Sequence, residues 1–310
     1  MTCLPKAVEK YLTMRRSLGF KLRDMGHNLR HFVYFMEQQG TCIITVELAL
    51  RWAQQPQGVQ PAHWAKRLSH VRSFARYWSA IDPRTEIPPM GLLPYRTMRA
   101  TPYIYSDKEI EHLLNAAKSL PPSTGLRPWT YYTLFGLTAV TGMRISEIIH
   151  LEYGDIDLDQ MLLTVRFTKF NKSRLIPLDP STVKALKLYL QQRDRLCPRS
   201  ATSRFFLSNS GTPLTDDIVR WTFVRLSRLI SLRKIGDSHG PRIHDLRHRF
   251  AVVTLLHWYR TGVDVEQRLP VLSTYLGHVH VTDTYWYLSA IPELLALTKK
   301  RLEKRWEALS

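Results

Sequence analysis

Apolar residues recur one helical turn apart through most of residues 5–80. The clearest stripe repeats at positions i, i+3, i+4 and i+7, and it consists of Leu29, Phe32, Val33 and Met36. Such spacing is typical of a helix with one buried side. Two further helices are predicted at 46–54 and 62–81. The pattern therefore predicts a helical N-terminal domain over residues 1–81.

Residues 82–105 interrupt this periodicity. Prolines and Gly91 punctuate the segment, and three arginines keep it basic, as in an extended linker. A new helix is predicted to begin at Ser106, because Glu109 three residues later completes a capping-box pattern. We therefore expect an interdomain linker at 82–105 and a second domain at 106–310.

The second domain is predicted to be mixed, with many helices and one β-hairpin. Helical spacing is found at 107–118, 127–140, 144–151, 180–195, 215–233, 244–260 and 265–277. Met161–Phe167 is strand-like, 168–173 is a polar turn, and Arg174–Leu178 is a returning strand. An amphipathic helix is expected at 292–310. The predicted fold class is mainly α with a small antiparallel β-sheet.

Net charge narrows the classes of function. The chain of 310 residues has 44 Lys and Arg against 26 Asp and Glu, a formal net charge of +18 at pH 7. This excess predicts a polyanionic partner, with nucleic acid favoured. No run approaches the ~18 apolar residues that cross a bilayer, and the N-terminus lacks a signal-peptide pattern. The three scattered cysteines suit a reducing cytoplasm.

Basic and aromatic residues are interleaved in the predicted helix at 62–81. The basic residues are Lys66, Arg67, Arg72 and Arg76. A helix of this kind can pack through its aromatic side and contact DNA phosphates through its basic side. The alternative, a solvated basic face on an ordinary helical bundle, is equally consistent with the pattern.

The sequence lacks the motifs of several common classes of enzyme. The phosphate-binding P-loop, the GxGxxG dinucleotide motif and the GxSxG nucleophile elbow are absent. His244 and His248 have the i, i+4 spacing of a zinc helix, but Asp245 replaces its glutamate and the cation of Arg247 opposes a bound dication. We therefore expect neither a metal ion nor another cofactor.

Two arginines have settings that suit phosphoryl transfer. Arg144 follows Gly142, and Glu147 lies three residues later, where it could hold the guanidinium. Arg247 lies three residues after His244, so both project from one side of a helix. Guanidinium groups can replace a metal in stabilising the oxygens of a phosphodiester under attack.

A histidine and a tyrosine follow near the C-terminus. Tyr287 lies nine residues after His278. A tyrosine nucleophile can form a covalent phosphodiester with DNA, and this bond keeps the energy needed for rejoining without ATP. By themselves, both tyrosines of this stretch, Tyr285 and Tyr287, would be ordinary core aromatics.

In this order, the motifs resemble the tyrosine recombinases, also called the phage integrase family. The resemblance runs through TGMRISE, TKFNKSRLIPL, the HDLRH motif, LGH and the tyrosine, and it covers about residues 105–300. The N-terminal module is similar only in size and character to the core-binding domain of this family. The resemblance implies a mixed α/β catalytic domain of the tyrosine recombinase type.

The resemblance also implies a set of catalytic residues: Arg144, Lys169, His244, Arg247, His278 and Tyr287. The arginines would clamp the scissile phosphate, His278 would hydrogen-bond it, and His244 would act in acid/base catalysis at the nucleophile. Tyr287 would attack phosphorus to give a 3′-phosphotyrosine and a free 5′-hydroxyl. Lys169 would protonate that leaving oxygen.

Two of these assignments leave alternatives. Lys172 shares the hairpin turn with Lys169, and we favour Lys169 as the general acid and Lys172 as a phosphate contact. The interval of nine residues from His278 favours Tyr287 over Tyr285. Glu147 matches an acidic position that supports the first arginine in the family.

As a tyrosine recombinase, the chain would cut and rejoin double-stranded DNA with inverted-repeat half-sites, without metal or ATP. Integration, transposition or resolution of DNA elements would be its task, in the cytoplasm with the nucleoid. A homo-tetramer would form on synapsis, and accessory DNA-bending proteins or a partner recombinase would be further partners. The helix at 292–310 would dock on a neighbouring protomer or fold back on its own domain. The alternatives are a type IB topoisomerase-like enzyme and a non-catalytic helical DNA-binding protein.

Overall fold

The computed structural model describes residues 4–95, 101–166, 173–198, 200, 202–237 and 239–307. The chain divides into two compact units, Met1–Ala100 and Thr101–Ser310. The architecture is mainly helical with one small antiparallel sheet, which confirms the predicted fold class. None of the helices in the described ranges is both long and apolar enough to span a bilayer.

The first unit is built from helices. They are α1 (Leu4–Ser17), α2 (Arg23–Gln38), α3 (Val46–Ala53) and α4 (Pro61–Trp78). The predicted apolar stripe of α2 is buried against α1, α3 and α4, with Phe32 and Phe74 inaccessible to solvent. Thr45 caps α3, because its hydroxyl accepts a hydrogen bond from Leu48 N at 3.2 Å.

The segment after α4, where the sequence predicts an interdomain linker from residue 82, contacts the helices of the first unit. The backbone N–H of Glu86 donates to Ile44 O at 2.8 Å, and the Glu86 carboxylate accepts from Val46 N at 2.6 Å. Arg72 donates to the carbonyls of Pro88 and Pro89. These contacts keep residues up to 95 on the first unit, because the proline-rich chain supplies carbonyl acceptors to α4.

The second unit is also mainly helical. Its helices are α5 (Asp107–Lys118), α6 (Arg127–Thr141), α7 (Ile145–Ile149), α8 (Pro180–Leu196), α9 (Asp216–Leu229), α10 (Ile243–Arg260), α11 (Val265–Leu276), α12 (Thr282–Ala290) and α13 (Pro292–Glu307). Ser106 and Glu109 form the predicted capping box at the start of α5. The helical spacing of the sequence thus located most of these elements to within a few residues.

The sheet has the strand order β1 (Ile156–Asp157), β2 (Leu162–Val165) and β3 (Arg174–Pro177), all antiparallel. The predicted hairpin is confirmed by the pairing of β2 with β3, in which Leu163 faces Ile176. Both of these residues are buried in the core of the second unit. The two-residue strand β1 was not predicted.

Two glycines in the left-handed region end α6 and α11. Gly142 has φ 62°, and a Cβ there would lie 2.6 Å from the ring of Phe250. Gly277 has φ 65°, and a Cβ there would lie 2.9 Å from Arg174 Nη1. Only glycine fits this backbone and this space without strain. This close packing leaves Gly142 O within hydrogen-bond distance of Arg247 and Gly277 O within hydrogen-bond distance of Arg144.

The C-terminal helix α13 packs on its own unit. Leu294 is fully buried, and Thr298 Oγ1 donates to Tyr259 Oη on α10 at 3.1 Å. Arg260 on α10 forms an ion pair with Glu293 at 2.5 Å. Of the two alternatives left open by the sequence, this chain shows the helix folded back, while Trp306 on its outer side is exposed. Docking of α13 on a neighbouring protomer stays a prediction.

Candidate active site

Two arginines from distant parts of the chain meet on neighbouring carbonyl groups at the end of α11. Arg144 Nη2 donates to Gly277 O at 2.8 Å, and Arg247 Nη2 donates to Leu276 O at 2.5 Å. Arg247 Nη1 also donates to Gly142 O at 2.8 Å. A guanidinium has five N–H donors. Both arginines therefore keep donors for an anion while the backbone fixes their orientation.

Glu147 joins this pair to a third arginine. Its carboxylate accepts from Arg144 Nη1 at 2.8 Å and from Arg174 Nη1 and Nη2 at 3.1 and 2.7 Å. Burial raises the pKa of Glu147, but the hydrogen bonds and charges of Arg174 and Arg144 outweigh it, so the pKa is lowered. The carboxylate is therefore ionised at neutral pH and holds two guanidinium groups side by side. We call Arg144, Glu147, Arg174 and Arg247 the arginine cradle.

The cradle has an excess of positive charge, since three guanidinium groups face one carboxylate. Arg247 is 1 % exposed, whereas the side chain of Arg144 is 32 % exposed and faces solvent. Burial and repulsion by Arg144 lower the pKa of Arg247 to about 10, which leaves it cationic at pH 7. A partly desolvated cluster of this kind attracts an anion such as a phosphodiester.

His278 begins the connection between α11 and α12. Its Nδ1 shares a hydrogen bond of 2.7 Å with Thr284 Oγ1, and its backbone N–H donates to Ser273 O at 2.9 Å. The residue directly follows Gly277, whose carbonyl binds Arg144. The backbone of His278 therefore continues directly from a carbonyl of the cradle, and Thr284 fixes its imidazole.

His244 lies on α10, one turn before Arg247, and is exposed. Partial burial of the ring and the positive charges of Arg247 and Arg144 lower the pKa of His244 to about 4. The imidazole is neutral at pH 7 and can hydrogen-bond an anion at the mouth of the cradle.

The two candidate tyrosines have different environments on α12. Tyr287 is 1 % exposed, and its Oη shares a hydrogen bond of 2.7 Å with His248 Nδ1. Tyr285 is 47 % exposed, so it does not pack in the core as the sequence predicted. Tyr287 is also close enough to Arg247 for a negative charge on its oxygen to raise the pKa of that guanidinium. The structure thus brings Tyr287, and not Tyr285, to the buried side of the cradle.

Two residues of this site were not assigned a role from the sequence. Arg174 opens the predicted returning strand, and His248 lies four residues after His244 on α10. The available signal for Arg174 is its position at the start of the returning strand, and the available signal for His248 is its spacing of four residues from His244. Their contacts with Glu147 and Tyr287 depend on long-range packing, which local patterns do not show.

Lys169 and Lys172 lie outside the described residues. Within the ranges that the structure describes, no three His, Cys, Asp or Glu side chains are grouped as metal ligands.

The basic residues of α4 have partners of their own. Lys66 forms an ion pair with Asp24 at 2.6 Å. Arg67 donates to Trp52 O at 2.9 Å and stacks on the Trp52 ring at 3.8 Å, and Arg72 binds the proline carbonyls described above. Arg76 is exposed and has no hydrogen-bond or ion-pair partner for its side chain in the described part of the chain.

Comparisons with known proteins agree on one family. Residues 104–293 match the phage integrase family. The chain is 52 % identical over 311 residues to a Sinorhizobium fredii protein named integrase/recombinase y4rB, covering 99 % of each chain. It is 31 % identical over 242 residues to the tyrosine recombinase XerD of Caulobacter vibrioides, covering 77 % of this chain and 74 % of the other.

A solved structure has a similar fold. The integrase of the transposon Tn1549, in complex with transposon right end DNA, superposes with a TM-score of 0.67 at 16 % identity. The match covers 96 % of this chain and 98 % of that one.

Proposed function

The chain belongs to the phage integrase family and is a tyrosine-type site-specific recombinase, and we propose that it cuts and rejoins DNA through a 3′-phosphotyrosine intermediate, without metal ion or ATP. The observation that carries this proposal is the convergence of the arginine cradle with Tyr287. Arg144 and Arg247 bind the adjacent carbonyls of Gly277 and Leu276, and Tyr287 hydrogen-bonds the residue that follows Arg247.

In the proposed reaction, Arg144 and Arg247 bind the non-bridging oxygens of the scissile phosphate. Their charge stabilises the extra negative charge of the pentavalent transition state, which is the task of an oxyanion site. Arg174 and Glu147 orient Arg144 and do not touch the DNA. His278 and His244 add hydrogen bonds to the phosphate, and His244 takes part in acid/base catalysis at the nucleophile.

Tyr287 Oη then attacks phosphorus while the bond from phosphorus to the 5′-oxygen breaks. The phenolic proton passes from Tyr287 to a histidine of α10, and the 5′-oxygen takes a proton from the hairpin lysine. For this general acid we propose Lys169, with Lys172 as a phosphate contact. The new phosphotyrosine keeps the energy of the broken bond, so a 5′-hydroxyl can reverse the step without ATP.

Duplex DNA with inverted-repeat half-sites is the proposed substrate, bound by one protomer per half-site and assembled into a tetramer on synapsis. The net charge of +18 supports a polyanionic partner. The DNA complex of the Tn1549 integrase supports DNA as that partner. In the first unit, Arg76 is exposed and available for phosphates, whereas Lys66 is paired with Asp24 and Arg67 and Arg72 are engaged by backbone carbonyls.

A suicide-substrate experiment tests this function. The wild-type protein is incubated with nicked duplexes that contain a randomised segment, in EDTA and without ATP, and complexes that survive SDS are recovered and sequenced. We expect a covalent adduct on a defined DNA site and none with Tyr287→Phe, although this variant still shifts the same duplex in a gel. An adduct with Tyr287→Phe, or a strict need for metal or ATP, would refute the proposed mechanism.

A further inference from the structure

His248 contacts the proposed nucleophile directly, although the family resemblance gives it no role. Its Nδ1 lies 2.7 Å from Tyr287 Oη. The two rings meet at 63° with centroids 5.5 Å apart, and Trp286 packs at 5.8 Å from the same imidazole. Both His248 and Tyr287 are buried. The contact is therefore a defined hydrogen bond in a site with little access for water.

The other side of the imidazole faces a carboxylate. Asp245 lies one turn earlier on α10, and its Oδ1 is 4.0 Å from His248 Nε2. Asp245 is itself buried and held by Arg242, whose backbone N and Nη2 each donate to it at 2.8 Å. A negative charge on this side favours the proton on Nε2 and leaves Nδ1 as an acceptor for the hydroxyl of Tyr287. The same charge stabilises the imidazolium that forms when Nδ1 takes a proton.

This arrangement matches the general pattern of an activated nucleophile. A hydroxyl nucleophile needs a base within hydrogen-bond reach, and the base is oriented by a third group. Tyr287 and His248 fill the first two places at hydrogen-bond distance, and Asp245 acts on His248 from 4.0 Å through its charge. His244 contacts the His248 ring at 4.6 Å, edge to face. Burial and the charge of Arg247 lower the pKa of His244 and make it a weaker proton acceptor.

We propose that His248 is a further catalytic residue, whose Nδ1 accepts the phenolic proton of Tyr287 as Oη attacks phosphorus. This inference rests on the proposed function. The O–H bond of Tyr287 breaks as the bond from Oη to phosphorus forms, and His248 becomes an imidazolium. The bond to the 5′-oxygen breaks, and that oxygen takes its proton from the separate general acid. In rejoining, the proton returns from His248 to Tyr287. His244 takes part in this acid/base catalysis through its edge-to-face contact with the His248 ring.

The variant His248→Asn separates holding Tyr287 from accepting its proton. The amide oxygen of asparagine reaches about the position of Nδ1, so it can accept the hydrogen bond but not the proton. The assay is single-turnover formation of the adduct on a nicked duplex that the wild type has selected from the randomised pool. We expect a loss of about 100-fold in rate, in the range of general-base catalysis, with unchanged affinity for the duplex.

A matched control is His257→Asn, the same change at an exposed histidine of α10. This variant should stay within about twofold of the wild type, as surface substitutions do. A cleavage rate of His248→Asn equally close to the wild type would overturn the inference.

Replacing Tyr287 with 3,5-difluorotyrosine gives a test that a purely structural role of His248 would not affect. Its more acidic phenol needs less help from a base, so the deficit of His248→Asn should shrink to about tenfold or less. A 5′-bridging phosphorothiolate, whose leaving group needs no acid, should leave the deficit in place. Two results would contradict a base at Tyr287: a rate deficit of His248→Asn that is unchanged with the fluorinated tyrosine, or one that disappears with the phosphorothiolate.

Failure of the inference differs from failure of the proposed function. If the function is wrong, the wild type forms no SDS-stable adduct with any duplex of the pool. If only the role of His248 is wrong, the wild type forms the adduct and the His248→Asn comparison gives one of the contrary results above.

Discussion

Two basic clusters of this protein use arginine in different ways. In the cradle, Arg144 precedes α7 and Arg247 lies on α10, and both donate to neighbouring carbonyl groups at the end of α11. Along α4, the cations are neighbours in sequence, but each has a separate partner or none: Lys66 binds a carboxylate, Arg67 stacks on an indole, and Arg76 is open to solvent.

The difference shows that the number of cations in a segment does not reveal their task. A guanidinium that stabilises a transition state must be fixed before the substrate arrives. The cradle meets this need with Glu147 and backbone carbonyls. A phosphate contact on a surface helix needs only an accessible charge, which Arg76 supplies.

The largest expected effect separates catalysis from binding. Arg247→Lys keeps a charge but loses the two-pronged guanidinium, so adduct formation should fall about 100- to 1,000-fold, as for loss of one oxyanion donor. Affinity for the selected duplex should change little. Gel shifts and single-turnover cleavage measure both quantities. If affinity and rate fell by equal factors, Arg247 would act in DNA binding and not in stabilising the transition state.

A smaller effect is expected when Glu147, which binds Arg144, loses its second partner, Arg174. Arg174→Ala removes one of the two guanidinium groups that neutralise the buried carboxylate of Glu147. Breaking a buried ion pair in this way costs about 3 kcal/mol or more of folding stability. We expect a lower melting temperature and slower cleavage, whereas Arg76→Ala should melt like the wild type. Calorimetry of both variants makes the comparison, and an unchanged melting temperature for Arg174→Ala would show that the pair does not hold the cradle.

The pH dependence of the melting temperature tests whether the charge of Glu147 stabilises the folded protein. The folded-state pKa of Glu147 lies below its ordinary 4.5, so its stabilising contribution is complete above pH 4.5 and disappears as pH falls through the folded-state pKa. The melting temperature of Glu147→Gln should therefore be below that of the wild type at pH 7, and the gap should narrow below pH 4.5. A gap independent of pH would mean that the charge of Glu147 does not matter.

The smallest effect is expected in the first unit. Arg76→Ala should weaken DNA binding slightly and reduce the slope of log affinity against log salt by about 1, as for loss of one phosphate contact. Cleavage by fully bound protein should be unaffected. Binding measured at several salt concentrations tests this. An unchanged slope would place Arg76 away from the DNA.

Much of the fold follows from short-range patterns. The apolar stripe of α2, the capping box at Ser106 and the β2–β3 hairpin depend on residues a few positions apart, and these were predicted correctly. The helix α12 was missed, because its short sequence TDTYWYLSA has no polar side and is set by packing between α11 and α13. The contacts of Arg72 and Ile44 with residues 86–89 join positions far apart in sequence, so short-range patterns do not show them.

The site was predictable only through an ordered set of motifs. Spacing placed Glu147 where it could reach Arg144, and the structure shows that bond. The bond from Arg174 to Glu147 and the bond from His248 to Tyr287 join elements far apart in sequence. No local periodicity carries this information, so these contacts required the folded chain.

The central claim is that Tyr287 attacks a phosphate bound by the arginine cradle. Mass spectrometry of the SDS-stable adduct, after digestion of protein and DNA, measures directly which side chain holds the nucleotide. We predict a nucleotide linked through its 3′-phosphate to Tyr287. A nucleotide on Tyr285 or on any other residue, or a linkage through a 5′-phosphate, would contradict the account.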